Sequence, residues 1–485
     1  MRFFFSFLFS TFAFVTLSVV GGFSQEKDSL KIVSDTLKIT QKKNYVTVNE
    51  IKIIGNKVTK QHIILRELQF ALRDTIQRSE VSKFVIRAKQ NLLNTSLFNF
   101  VSIDTAFDNY NNIDFTIKVS ERWYTWPAPI FEVQERNINT WWREGRNLNR
   151  ANYGFFLTRN NFRGRKEDLS FYFQFGYTEK YGLTYKIPYL TKGQNSGAGI
   201  GFSYSRNREI PYTSINDQVV YFKDPDKYIR QEFNGKINYT YRDGIHNSHY
   251  LETRYVQALV DDTLKSYTND YFMPNETQIK YFLLDYFYKS DFRDSRMYPL
   301  QGYYFELNAQ HYGFGILPEE KIDVSNLLLT FKNFEKLSKR FYFSDGVKVK
   351  LSPNKKDEPY YVQGGLGWSN YVRGYEYYVI DGQSWALGKI NLKYELVKPH
   401  VYSVNVPGFS KFNTFHYAFY ANIFADGGYV KDYLYYKANP LANQFLFGYG
   451  AGIDYVTYYD LVIRFEYSFN RMGENGFFLH FDAGI

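Results

Sequence analysis

The sequence contains no cysteine, 13 prolines and 4 methionines in 485 residues. Disulfide staples, thiol nucleophiles and zinc–cysteine centres are thereby excluded, so stability must come from packing and from closed hydrogen-bonded ladders. Beyond the N-terminal segment no apolar run reaches the ~18 residues that a membrane-spanning helix needs, and mean hydropathy is −0.43. A bundle of spanning helices is excluded, which leaves a soluble protein or a β-barrel. No G-x-S-x-G, phosphate-binding loop or H-E-x-x-H motif occurs, and the scattered carboxylates form no recognisable acid–base pair. No catalytic residue, no metal site and no cofactor are therefore expected. His246 and His249 share a turn segment without a third ligand, and His480 has no serine facing it.

What the chain has in excess is aromatic surface: 46 Tyr and 46 Phe contribute to an aromatic share of 20%. That is more than a soluble core requires and is expected where rings form girdles at two membrane interfaces. The net charge of +10 comes from Lys and Arg scattered singly along the chain. No basic helix or arm forms, so nucleic acid is not an expected partner, and anionic lipid headgroups and a hydrated lumen fit the charge better.

The texture changes twice along the chain. Met1-Arg2 followed by FFFSFLFSTFAFVTLSVV has the layout of a signal peptide over residues 1–24, with an uncleaved anchor helix as the alternative. Residues 25–45 are polar and read as a linker, or less readily as a short plugging helix. Residues 46–122 read strand, helix, helix, strand, strand, with helical period in TKQHIILRELQFAL and SEVSKFVIRAKQNLLNTSL. Ile51, Ile53, Ile64, Leu65, Leu68, Phe84, Ile86, Leu92, Leu93, Phe98, Val101 and Ile117 are the expected core of this small α+β unit, and Gly55-Asn56 the turn after its first strand.

From residue 123 to 485 no helical period returns, and about 16 alternating segments follow, from 126–134 to 475–485. In LVIRFEYSFN, Leu461, Ile463, Phe465, Tyr467 and Phe469 share one face while Arg464, Glu466, Ser468 and Asn470 share the other. NGKINYTYR divides in the same way. Short turns such as TKGQNSG alternate with long connections at 209–227, 261–276 and 353–384, which is the topology of an all-β transmembrane barrel. A soluble sandwich would alternate too, but with shorter strands.

On these residues the mature chain resembles the BamA/TamA family of outer-membrane assembly and secretion proteins. That family joins periplasmic POTRA (polypeptide-transport-associated) domains to a 16-stranded barrel. The POTRA resemblance rests on Val48 to Lys57, on Arg66-Glu67-Leu68, on Leu97 to Val101 and on Val119-Ser120-Glu121. In the barrel it rests on Tyr298 to Gly302, on Val372-Arg373-Gly374-Tyr375 in the 353–384 loop, and on Phe424-Ala425-Asp426-Gly427-Gly428. The resemblance implies that the loop folds into the lumen and that Arg373 pairs with Asp426. Strand alternation points Asp426 inward as well. Only one POTRA domain is present, and the sequence ends in Ile485 rather than in the usual aromatic residue.

Pro127 and Pro129 stand in the first barrel strand, where each lacks an N–H for pairing with the last strand, which contains Phe481 and Ile485. Either this seam is a lateral gate, or the prolines only end the linker from the POTRA domain. The resemblance implies an outer-membrane insertase or translocase with its POTRA domain in the periplasm. Its implied partners are unfolded outer-membrane or secreted polypeptides, outer-membrane lipid and periplasmic accessory lipoproteins. The alternative is a passive outer-membrane channel whose periplasmic domain docks a partner.

Overall fold

The computed structural model describes residues 44–481 apart from residue 109, 354–357, 404–413, 458–460 and most of 134–150. The expected signal peptide, the linker up to residue 43 and Ile485 lie outside the described residues.

The N-terminal domain comprises β1 (Tyr45–Ile54), α1 (Gln61–Leu65), β2 (Thr75–Gln77), α2 (Val81–Asn94), β3 (Phe98–Phe107) and β4 (Asn112–Glu121). Its sheet has the order β2-β1-β4-β3, with β1 parallel to β4. Gly55 leaves β1 at φ +98°, and a Cβ there would lie 2.0 Å from Val119 O, so the turn across β4 requires glycine. Ile64, Leu68, Leu92, Phe98, Val101 and Ile117 are buried as expected, with Ile51, Ile53, Phe84 and Leu93 packed against them.

Leu65 and Ile86 are corrections to that core, being 41% and 58% exposed. α2 turns Val81, Ala88 and Leu92 inward, so Ile86 falls on the opposite side, in a cleft beside Phe292 and Gln301. The long helical period through residue 72 also overstates α1, which is five residues long. The chain leaves the helix at Arg66; Arg66 and Glu67 reach the barrel, while Leu68 and Phe70 return to the core.

The barrel strands are β5 (Thr125–Val133), β6 (Ala151–Phe162), β7 (Glu167–Gly176), β8 (Thr178–Ile187) and β9 (Ser196–Asn207). A hairpin of β10 (Glu209–Ile215) and β11 (Gln218–Lys223) intervenes before β12 (Arg230–Asp243), β13 (Asn247–Val260), β14 (Gln278–Asp291) and β15 (Gly302–Tyr312). β16 (Val324–Lys336), β17 (Phe341–Leu351), β18 (Ser384–Ser403) and β19 (Thr414–Lys431) follow, and β20 (Phe445–Val456), β21 (Val462–Asn470) and β22 (Asn475–His480) complete it. Leaving out the hairpin, these form one 16-stranded antiparallel sheet in sequence order, as the alternating segments predict. The hairpin was expected to be a plain loop. Asn216 and Asp217, at φ 52° and 57°, supply the primed turn between its strands.

Alternation along each strand produces the two faces. Ile237, Tyr239, Ile390, Ile423, Phe465 and Tyr467 are exposed on the outside, where lipid is the matching solvent. Asn238, Asn391, Asn422, Asp426, Arg464 and Glu466 are buried inside. The far mouth is covered by the 358–383 loop, the β10–β11 hairpin and residues 434–443. Asn216 N donates to Ala438 O (2.7 Å) and Val379 N to Asp217 O (2.9 Å) across this cap.

Candidate functional site

Arg373 is 1% exposed and lies against the lumenal wall of β19. Its Nε donates to Asp426 Oδ2 at 2.9 Å, its Nη2 to Asp426 Oδ1 at 2.5 Å, and its backbone N–H to Oδ2 at 3.0 Å. Nη1 is shared between Asn391 Oδ1 (2.8 Å) and Glu466 Oε1 (3.1 Å). The guanidinium plane covers the Phe424 ring, 3.8 Å from its centre. A planar fork with several fixed donors suits this enclosure, and a lysine could not fill it.

Glycines in the wall let the loop lie close to it. Gly374 takes φ +91°, and a Cβ on Gly428 would stand 2.5 Å from Val372 Cγ2. A Cβ on Gly448, the β20 neighbour of Asp426, would stand 1.8 Å from Arg373 O. Tyr375 is 2% exposed and packs with Leu366, Val372, Trp385 and Leu446. Arg373, Gly374, Tyr375, Phe424, Asp426 and Gly428 are thus brought together at one place. The sequence reading missed Asn391, Glu466 and Gly448. Their signal was the alternation itself: Glu466 is on the inward face of its strand, and Gly448, Gly450 and Gly452 recur at period two in FLFGYGAGIDY.

The seam residues are placed differently. Asn160 N donates to Tyr124 O (2.8 Å) at the start of the β5–β6 pairing, whose register sets Trp126 opposite Thr158. Hydrogen bonds alternate along an antiparallel strand, so Trp126, Ala128 and Ile130 bond to β6 while Pro127 and Pro129 turn their backbone to the open edge. Both prolines therefore spare the β6 ladder and remove donors from the seam side. Phe481 follows β22 and is exposed, and among the described residues no ladder joins β22 to β5.

A second buried charge cluster fastens the N-terminal domain to the barrel turns nearest it. Arg242 donates to both oxygens of Glu67, at 2.8 and 2.9 Å. Arg66 Nε donates to Gln194 O (2.6 Å), Asn161 Nδ2 to Thr59 Oγ1 (2.9 Å) and Lys60 N to Gly164 O (2.9 Å). Burial opposes ionisation of Glu67, but Lys166, Arg242 and Arg66 outweigh it and hold its carboxyl at about 2.

A single small α+β domain docked to a 16-stranded barrel with an inward-folded loop defines the class: a POTRA-bearing barrel of the outer-membrane type. Residues 46–122 match the POTRA model described as "Surface antigen variable number repeat", and residues 161–484 match the Omp85 superfamily domain. The chain belongs to the Omp85 superfamily. The fold is shared with BamA from Haemophilus ducreyi lacking POTRA domains 1–3, at 15% identity, TM-score 0.50, and coverage of 90% of this chain and 83% of that one. It is also shared with CdiB from Escherichia coli, at 13% identity, TM-score 0.51, and coverage of 90% and 74%. Among curated proteins none matches the sequence.

Proposed function

We propose that this chain is an outer-membrane insertase or translocase. Its POTRA domain stands in the periplasm and takes up unfolded outer-membrane or secreted polypeptide as an added strand on the free edge of β3. The barrel then assembles or exports that polypeptide at the β5–β22 seam.

The observation that carries this reading is the loop seated in the lumen. The 358–383 loop is seated inside by Arg373, the far mouth is covered, and a cavity of about 350 Å³ lies between the loop and the wall beside Lys348 and Lys389. A passive channel would need a continuous aqueous path, which this arrangement opposes. An edge strand stripped of two donors supports a lateral route instead. The driving force would be the client's own folding, since a closed barrel satisfies backbone groups that an isolated strand cannot.

Quantitative proteomics of outer-membrane fractions tests the reading, after depletion of the protein and in an Arg373→Ala strain. Loss of many barrels indicates a general insertase, and loss of a few clients a specialised assembly or secretion pore. An unchanged proteome with reduced solute uptake would overturn the proposal in favour of a channel.

A further inference from the structure

We propose that the 313–317 turn is an outer-leaflet anchor: Phe314 and Ile316 enter the lipid beside the barrel wall, and Glu320 braces the turn that presents them. The inference rests on the reading of the barrel as membrane-spanning and gives one segment a further part in it.

The turn follows β15, where the wall has a step. Tyr312, the last residue of β15, is opposite Leu283 of β14, whereas β14 continues to Gln278, opposite Leu259 of β13. The turn lies in that step. Gly313 N donates to Phe282 O (2.9 Å), and Phe282 N donates to Glu320 Oε1 (3.4 Å). The same carboxylate accepts from Phe314 N (3.1 Å), Ile316 N (2.8 Å) and Leu317 N (3.0 Å). One side chain thus satisfies four backbone N–H groups, and Ile322 behind it is buried, so the turn is held in one course.

Strand alternation decides which way the turn leans. Asn308 of β15 and Asn326 and Thr330 of β16 are buried inside, so Tyr303, His311, Ser325 and Phe331 face out. His311 Nδ1 and Ser325 Oγ, 2.9 Å apart, end this outward face with a polar pair. The Phe314 ring stands edge-on to the His311 ring at 4.6 Å, which places it over the outside of the wall and away from the lumen. Phe314 is exposed there, and Ile316 beyond it is 69% exposed.

Charge follows only after these residues, in Glu319 and in Lys321, which pairs with Glu276. Apolar and aromatic side chains succeeded by charges suit the boundary between acyl chains and headgroups. The exposed pair is continuous with an outward face whose solvent is lipid, and that continuity makes outer-leaflet lipid the occupant. β15 is the ninth of the sixteen strands counted from β5, so the anchor holds the wall across the barrel from the β5–β22 seam.

The chain has no cysteine, so one introduced cysteine carries a unique nitroxide. Labels are placed at Ile316→Cys, at Phe331→Cys on the outward face, and at Asp262→Cys beyond the far end of β13, where the side chain is 83% exposed. Each variant is held as one barrel per lipid nanodisc, and collision of the label with oxygen, which concentrates in lipid, is compared with collision with a water-soluble nickel chelate. The oxygen-to-nickel ratio at 316 should match that at 331, several-fold above that at 262, and adding Glu320→Ala should lower it toward the 262 value. A ratio at 316 equal to that at 262 would overturn the anchor, and so would low collision with both reagents, which means that protein covers the turn. An unchanged ratio in Glu320→Ala would overturn the brace. The membrane reading fails separately, by a label at 331 that behaves like the one at 262.

Discussion

Among the buried arginine–carboxylate clusters of the described residues, the one at Arg373 and the one at Glu67 are built in opposite senses. In the lumen the arginine is the enclosed partner: Arg373 is on a loop, 2% exposed in its side chain, and strands supply Asp426, Asn391 and Glu466 around it. At the POTRA junction the carboxylate is enclosed: Glu67 is 1% exposed, and Arg242 reaches it from the end of β12 with 17% of its side chain still accessible. If the lumenal pair separates, two carboxylates and a guanidinium are stranded in a closed space. If the junction separates, each partner meets water. The first geometry makes a permanent lock and the second a releasable clasp.

Removing Arg373 is the strongest way to test that contrast. Arg373→Ala strips Asp426 and Glu466 of their hydrogen-bonded cation and leaves them the longer contacts of Lys389 and Arg464, each at 3.7 Å; it should cost on the order of 3 kcal/mol, read as a lower unfolding midpoint in urea. Arg373→Lys should recover only part of it, since one ammonium cannot serve Asp426, Asn391 and Glu466 in their present directions. Next in size is Gly448→Ala, which keeps every charge but sets a Cβ 1.8 Å from Arg373 O. It should cost roughly 1–3 kcal/mol and expose the 358–383 loop to protease, because the loop backbone must withdraw. A Gly448→Ala protein with a protected loop would show that charge alone seats it.

The two clusters also differ in how readable they were. Arg373 and Asp426 are 53 residues apart, but each is carried by a local pattern: V-R-G-Y in a loop, and an aspartate on the inward phase of an alternating strand. Period two fixes the direction of a side chain without reference to any other strand, so the 16-stranded architecture and the inward Asp426 were legible, while its pairing with Arg373 was what the family resemblance implied. Arg242 and Glu67 meet over 175 residues, and neither carries a pattern that names the other. Arg66-Glu67-Leu68 falls within the helical period, but α1 ends at Leu65 and the Arg66 and Glu67 side chains bond to the barrel. A contact between two folding units depends on docking, which hydrophobic period does not encode. Leu65 and Ile86 were misassigned because apolar character alone does not say which face of a helix meets the core.

The clasp should yield at smaller cost. Glu67→Ala removes two charged hydrogen bonds, and after discounting for the water that reaches Arg242 the loss is about 1–2 kcal/mol. Its signature is motion rather than unfolding. Spin labels at Lys83 and Lys192, both exposed, should give a broadened distance distribution while the barrel's melting point stays where it was. A lowered barrel melting point would mean that the junction is part of the barrel's own stability, and the contrast with the lumen would fail.

The smallest effect expected near neutral pH is none at all, and its direction outside that range is set by two groups. The Glu67 carboxyl is held at about 2 against an ordinary 4.5, because three cations outweigh its burial. A depressed carboxyl contributes stability that is complete above about 4.5 and is lost as pH falls toward 2. Burial, Arg242, Arg296 and Arg66 lower Lys166 to about 8 from 10.5, with Glu67 opposing them. In that upper window the unfolded chain binds the more protons, so docking gains stability as pH rises from 8 to 10.5. The spin-label distance should therefore stay narrow from about pH 5 upward and broaden only toward about pH 3. A junction that loosened between about pH 5 and about pH 8 would show that a histidine-like group outside the Glu67 cluster controls the clasp, and the assignment of the two clusters to lock and release would have to be redrawn.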